Sequence, residues 1–341
     1  MLKRGHIIVL VVFLGGVIGS VLYVAYQTTF GSSVNRSKEE NLEIFIHPED
    51  TYEELLAFLQ DKIRNPELFN RLAKHKELHR KMKAGHYTIP RGTSNNELIN
   101  RLLSGNQQPV KVNFNSLRTL SYLSKTLSMQ LEPDSIEFIT FFQDSTALQR
   151  IGIHIDSLYR YLLPDTYEFY WTATPEDFMV RMKKESEQYW LSKKNQAAQK
   201  NLTPWEVVTL AAIVERETLK DDEKPTIAGV YLNRLKKNMK LQADPTVVYA
   251  VGDFSLRRIL KVHTRTDHPY NTYKHKGLPP GPICVPSKTS IEAVLRAKDH
   301  PYLYFCAKED MSGYHNFAKT YRQHKKNARK FQRELNKKGI K

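Results

Sequence analysis

The chain has 341 residues, longer than one average domain and suited to about two, with a sizeable core within reach. Lys and Arg number 52 against 36 Asp and Glu, a formal net charge of +16. Such a surplus requires an anionic partner or a location that tolerates it: nucleic acid, a membrane surface or an anionic polymer.

The N-terminus narrows that choice. Ile7 to Tyr26, IIVLVVFLGGVIGSVLYVAY, is uncharged and long enough to cross a bilayer as a helix. Its apolar length and the lack of a small-residue cleavage site favour an anchor over a removed signal. Lys3 and Arg4 precede it, so residues 1–6 are expected in the cytoplasm and everything beyond the 27–41 linker outside it. That placement disfavours nucleic acid as the partner, and no nucleic-acid-binding signature is present.

Residues 42–115 predict a small module. Glu43–Ile46 alternates as a strand, Thr51–Gln60 carries apolar residues at helical spacing, and Asn65, Pro66 and Glu67 open a second helix. Gly85–Ile89 reads as a strand, Ser94–Leu103 as a capped helix closing at Gly105, and Val110–Phe114 as a further strand. The HKELH segment, His75–His79, has two histidines four apart, but Lys76 stands where a zinc-binding helix of this type has Glu. No metal and no cofactor is expected.

Residues 116–341 form the second predicted domain. Leu117 to Tyr189 is helical in pattern apart from Tyr161–Trp171, YLLPDTYEFYW, where Pro164, Asp165 and Thr166 predict a turn. The aromatics there suit either a packed corner or a sugar-stacking shelf. Lys224–Leu235 is an apolar helix, Lys240–Val251 a polar turn running into an apolar stretch, and Tyr270–Ile283 an irregular loop rich in Gly and Pro. Tyr302–Ala307 is a strand, His315–Phe317 a short segment, and the lysine-rich C-terminus (Lys325, Lys326, Arg329, Lys330, Lys337, Lys338, Lys341) an exposed helix. Cys284 and Cys306 are either a disulfide or two small buried residues, and spacing does not decide. The fold class is α+β.

One segment of this domain combines a core pattern with acids. In Leu202–Lys220, LTPWEVVTLAAIVERETLK, Thr203, Pro204 and Glu206 occupy the N-cap, N1 and N3 positions of a helix start. Val207 to Val214 is apolar on nearly every face, so the helix belongs inside the domain. Glu217 follows Ile213 at i+4 and Val214 at i+3, which gives it an apolar flank and a raised pKa, as a general acid requires. Glu215 lies about 200° away around the helix and points elsewhere. Local physics ranks the two glutamates without choosing, since both also suit a solvated last turn.

The following segments occur in one order: IVERET at 213–218, YLNRL at 231–235, LQADPTVVYA at 241–250, PYNTY at 269–273, GLPPGPI at 277–283, YLYF at 302–305 and GYHNF at 313–317. Together they resemble the endolytic murein transglycosylase family, MltG or YceG-like. Residues 160–330 match tightly, and the anchor and first module more loosely. NFNSL at 113–117 lacks the family's usual Glu-Gly, and PSKT at 286–289 lacks its glycine.

The resemblance implies that the first module is LysM-like, a peptidoglycan-binding fold. It implies non-hydrolytic cleavage of the bond between N-acetylmuramic acid and N-acetylglucosamine, leaving a 1,6-anhydro end, with Glu217 as acid and then base. Glu215, Asn233, Arg234, Gln242, Asp244, Asn271 and Tyr273 fall on the family's polar positions and are expected to bind substrate or hold loops. For Asp244, capping the turn before Pro245 is an equal reading. The implied partners are nascent glycan strands and the synthases of the elongation machinery, at the cytoplasmic membrane of a bacterium. A non-catalytic peptidoglycan-binding scaffold is the alternative that the same residues leave open.

Overall fold

The computed structural model describes residues 4–34, 41–256 and 258–337, and the side chains of all of these except 4–11, 28 and 29. The chain divides into two compact units: 1–112 with 130–133 and 168–173, and the remainder from 113 to the C-terminus. Residues 1–3, residues 35–40 of the expected linker, and Lys338 and Lys341 lie outside the described residues.

The first unit begins with α1 (Arg4–Phe30), which contains the apolar run predicted at 7–26. Its described side chains from Val12 to Tyr26 are exposed. Among the described residues no helix is long and apolar enough to cross a membrane.

Then follow β1 (Asn41–Ile46), α2 (Tyr52–Leu59), α3 (Pro66–His75), the short α4 (Leu78–Lys81), β2 (Gly85–Pro90), α5 (Asn95–Ser104) and β3 (Pro109–Phe114), whose last two residues are counted with the second unit. The caps at Asn65, Ser94 and Gly105 are those the sequence predicts, and Thr51, read as the first residue of a helix, is its N-cap instead. Thr51 and Glu54 form a capping box, Asn65 caps α3 before Pro66, Ser94 caps α5, and Gly105 closes it with φ +69°. β1 and β2 pair antiparallel with Ile44 opposite Tyr87 and Ile46 opposite Gly85. Period-2 alternation turns Ile44, Ile46, Tyr87 and Ile89 inward onto Leu55, Leu59, Phe69, Leu98 and Leu102, the core of this unit.

The second unit holds α6 (Leu120–Ser128), α7 (Ser135–Gln143), α8 (Ser145–Arg150), the first half of β4 (Asp165–Tyr170), α9 (Pro175–Gln199), α10 (Pro204–Glu217), α11 (Lys224–Lys236), α12 (Asp244–Val251), α13 (Lys288–Leu295), β5 (Tyr304–Ala307), β6 (His315–Ala318) and α14 (Tyr321–Lys337). β3 pairs with β4, and β5 with β6. Helices with small two-stranded sheets make the chain α+β.

The predicted turn at Asp165–Thr166 is instead the start of β4. Its alternation of buried Tyr167 and Phe169 with exposed Glu168 and Tyr170 is a strand pattern that the density of aromatics concealed. Tyr167 stacks on Phe114 at 6.0 Å between ring centres and donates to the Leu163 carbonyl at 2.6 Å, which is the packed-corner reading. Cys284 is a buried free thiol in a loop and Cys306 a free thiol on β5, so the cysteines do not pair.

The core of the second unit is built around α10. Eight consecutive residues, Val207 to Val214, are buried, and α9, α11, α12 and α13 pack against them. Leu210, Ile213, Ile227, Tyr231, Ile291 and Val294 belong to this one cluster. Each large aliphatic side chain removed from water here contributes roughly 1.5–3 kcal/mol. Such a helix has no solvent face along its middle, so only its ends can carry chemistry.

Candidate active site

Both ends of α10 are fixed by local hydrogen bonds. At the start, the Glu206 amide donates to Thr203 Oγ1 at 3.3 Å and the Thr203 amide donates to Glu206 Oε2 at 2.8 Å, the capping box the sequence predicts. At the finish, Thr218 is extended (φ −147°, ψ 145°) and its hydroxyl accepts from the Lys220 amide at 3.0 Å. The helix therefore stops at Glu217, leaving that side chain at the edge of the core.

The two glutamates of the last turn meet opposite environments. Glu215 Oε2 accepts hydrogen bonds from the Ser287 hydroxyl (2.5 Å), the Ser287 amide (3.3 Å), the Ser290 hydroxyl and the Lys224 ammonium (3.3 Å). Burial raises its pKa, but these donors outweigh burial and hold it below the ordinary carboxylate value. Glu217 has one strong donor: the phenol of Tyr231, on α11, donates to its Oε1 at 2.5 Å. Burial dominates here and pushes the Glu217 carboxyl up to about 7, with Asp244 adding to the rise and Tyr231 and Arg234 opposing it. A carboxyl so poised can give a proton and take one back near neutral pH.

Glu217 opens into a cleft of about 480 Å³ lined also by Arg118, Arg216, Asp244, Val248, Tyr249, Phe254, Arg258 and Ile283. Of the polar positions named from sequence, Glu217 and Asp244 line this cleft. Asp244 is the first residue of α12, whose cap position is Ala243, and it makes no side-chain cap. Its Oδ1 accepts instead from the Tyr273 phenol at 2.6 Å, which brings Tyr273 into the same cluster. Burial, with the Asp244 hydrogen bond, raises the Tyr273 pKa, so the phenol keeps its proton.

The remaining positions hold the backbone around the cleft. Arg234 donates from Nε to the Leu303 carbonyl (2.7 Å) and from Nη1 to the carbonyls of Leu241 (2.7 Å) and Lys240 (3.2 Å), tying α11, the residue before β5 and the 240 loop together. Asn233 Nδ2 donates to the carbonyls of His300 (2.6 Å) and Tyr302 (3.1 Å). Asn271, fully buried, donates to those of Thr266 (2.8 Å) and Thr264 (3.1 Å). These three and Glu215 direct their polar atoms at protein rather than into the cleft. Gln242 keeps an exposed side chain on a left-handed backbone, φ +49°.

Sequence reasoning missed Tyr231 and the three arginines. Tyr231 reads as one more core aromatic of α11, and only the position of Glu217 one helix earlier would single it out. The arginines are dispersed over 140 residues of a chain already rich in cations. Elsewhere, His47, Glu49 and Glu132 bring three metal-ligand-type atoms within 4.8 Å of one another in the first unit, apart from this chemistry.

The pattern of the YceG-like family matches residues 44–330. The chain belongs to the YceG-like family. Among its relatives is an endolytic murein transglycosylase of Bacillus subtilis (strain 168), 30% identical over 287 residues, which span 80% of this chain and 79% of the relative. Another is an endolytic murein transglycosylase of Streptococcus pneumoniae (serotype 2, strain D39), 32% identical over 275 residues; the match covers 70% of this chain and about half, 49%, of that longer protein. The crystal structure of a YceG-like protein of Listeria monocytogenes superposes with a TM-score of 0.57 at 26% identity, covering 85% of this chain and 99% of that one. In this YceG-like chain the matched region contains α10, α11, the 240 loop and the whole cleft.

Proposed function

We propose that the chain is a peptidoglycan lytic transglycosylase that cuts within glycan strands at the β-1,4 bond between N-acetylmuramic acid and N-acetylglucosamine. The observation that carries this reading is the Glu217 carboxyl, at the end of a buried helix, held at a pKa of about 7 and opening into a cleft. Protonated Glu217 donates to the departing glycosidic oxygen. The resulting carboxylate then accepts the proton of the muramyl C6 hydroxyl as that oxygen closes on C1 to form the 1,6-anhydro ring. One acid serves both steps, whereas ordinary hydrolysis uses a second carboxylate to activate water or to bond to the sugar.

Incubation with uncrosslinked glycan strands, with product ends read by mass spectrometry, tests this. Anhydro-muramyl ends are expected, and none with Glu217→Gln. Reducing ends carrying added water would overturn the non-hydrolytic step and point to Asp244 as the second carboxylate. Glycan binding without new ends would point to a scaffold.

Around this activity, the apolar run at 7–26 supports a single-pass anchor in the cytoplasmic membrane with the cleft outside the cytoplasm. The strand, helices, strand order of the first unit supports a LysM-like module that holds glycan. Nascent strands and the elongation synthases are the partners this location suits.

A further inference from the structure

Three arginines line the cleft that holds Glu217, and they come from three separate places: Arg118 just before α6, Arg216 on the last turn of α10, and Arg258 beyond α12. Among the described residues none of the three is paired with a carboxylate, whereas Arg101, Lys224 and Lys288 are each paired with one. Arg118 is held in place: its Nη1 donates to the Phe254 carbonyl at 3.2 Å and its guanidinium lies 5.6 Å from the centre of the Phe254 ring. Burial and the neighbouring charge of Arg216 both lower its proton affinity, so these two cations repel. Only Asp244, and Glu217 when ionised, offset them within the cleft.

A cluster of like charges is retained where something opposite arrives to satisfy it, and the planar fork of arginine suits a carboxylate. The sugar backbone of the substrate proposed above is neutral, so a site built to hold amide-bearing sugars alone has no need of three cations. The acidic group of such a strand is on the lactyl arm of the muramyl residue, either as carboxylates of an attached peptide stem or as the lactyl carboxylate left when the stem is removed. We infer that Arg118, Arg216 and Arg258 form a carboxylate-binding subsite that takes the acidic arm of a muramyl residue beside the scissile bond. This rests on the reading of the cleft as a muramyl-cleaving site. It makes the strand's side-arm charge, and not only its sugars, a determinant of cleavage.

The test uses the full chain in detergent and three strands of equal length: with stems bearing free carboxylates, with the same stems fully amidated, and stripped to the lactyl carboxylate. Cleavage of at least one carboxylate-bearing strand should exceed that of the amidated strand by about tenfold or more in kcat/KM, chiefly through KM. Arg216→Gln and Arg258→Gln, both at exposed positions, should bring this ratio towards one while the thermal midpoint stays put. A preference shared by stripped strands assigns the lactyl carboxylate, and one confined to stem-bearing strands assigns the stem; either sustains the subsite. Equal rates on all three strands, or a ratio unchanged in the arginine variants, overturn it. Failure of the wild-type chain to cut any strand would instead overturn the functional reading on which the inference stands.

Discussion

The phenol of Tyr231 donates a 2.5 Å hydrogen bond to Oε1 of Glu217, and both groups lie where water is scarce. The bond favours the carboxylate over the acid, so it restrains the upward pull of burial on the Glu217 pKa. Tyr231 is thereby a positioning residue that also sets the range over which the acid retains its proton. Tyr231→Phe removes the restraint and should move the alkaline limb of the kcat profile from near pH 7 to higher pH. At pH 7 turnover should fall about tenfold, because the carboxyl loses its orientation. A pH–rate series on wild type and variant checks both effects.

Glu217→Gln should lower turnover by at least about a thousandfold, and it should also alter stability in a pH-dependent way. The folded-state pKa of Glu217, about 7, lies above the ordinary glutamate value of 4.5. The associated stability is present below pH 4.5 and lost as pH rises towards 7, since the buried group must then ionise. The glutamine has no such charge. It should therefore gain on wild type by roughly 1–3 kcal/mol at pH 8 and lose that advantage at pH 4, as urea unfolding at the two pH values will show.

Glu215 behaves in the opposite sense. Its pKa is lowered, so its contribution is present at neutral pH and lost as pH falls through the folded value. Lys224, only 4% exposed, depends on it for charge compensation together with Asp221. Glu215→Ala leaves that ammonium and two serine hydroxyls short of an acceptor and should cost about 3 kcal/mol at pH 7. Chemical unfolding measures this. In contrast to Glu217→Gln, the defect should appear as a lower denaturation midpoint, with activity per folded molecule largely kept.

Gln242 holds φ +49° without being glycine, and its amide donates to the Thr272 carbonyl at 3.2 Å. Gln242→Gly relieves the backbone and should stabilise by up to about 1 kcal/mol. A strained residue with an exposed carboxamide two positions before Asp244 suits a substrate contact, so turnover should fall as stability rises. Thermal midpoint and product yield, measured on the same preparation, check the pair of outcomes.

Much of the scaffold around these residues could be read in advance, because local signals and tertiary packing agree there. The caps at Asn65, Ser94 and Thr203 were legible from residue type and spacing, and α10 from its unbroken apolar run. The ranking of Glu217 over Glu215 followed from which helix face each occupies. What neighbouring elements bring was not legible. Nothing in the segment containing Glu215 announces Ser287, Ser290 and Lys224, and a short polar residue such as Asn233, Asn271 or Asp244 looks the same whether it faces sugar or a carbonyl. β4 was misread because its turn residues and the aromatics crowded around them hid a period-2 pattern only six residues long.

The Glu217 carboxyl has no loop of its own: it belongs to the fourteenth and last residue of a helix whose middle is locked in the core. A single residue added to or taken from the span between Pro204 and Glu217 would advance or retract the helix by about 1.5 Å and turn its end by about 100°. Tyr231 would then meet a different side chain, while the flanking loops could still vary in length. Evolutionary drift in such a chain is therefore confined to composition within α10 and excluded from its length, so the distance from cap to acid is a ruler that the fold cannot reset.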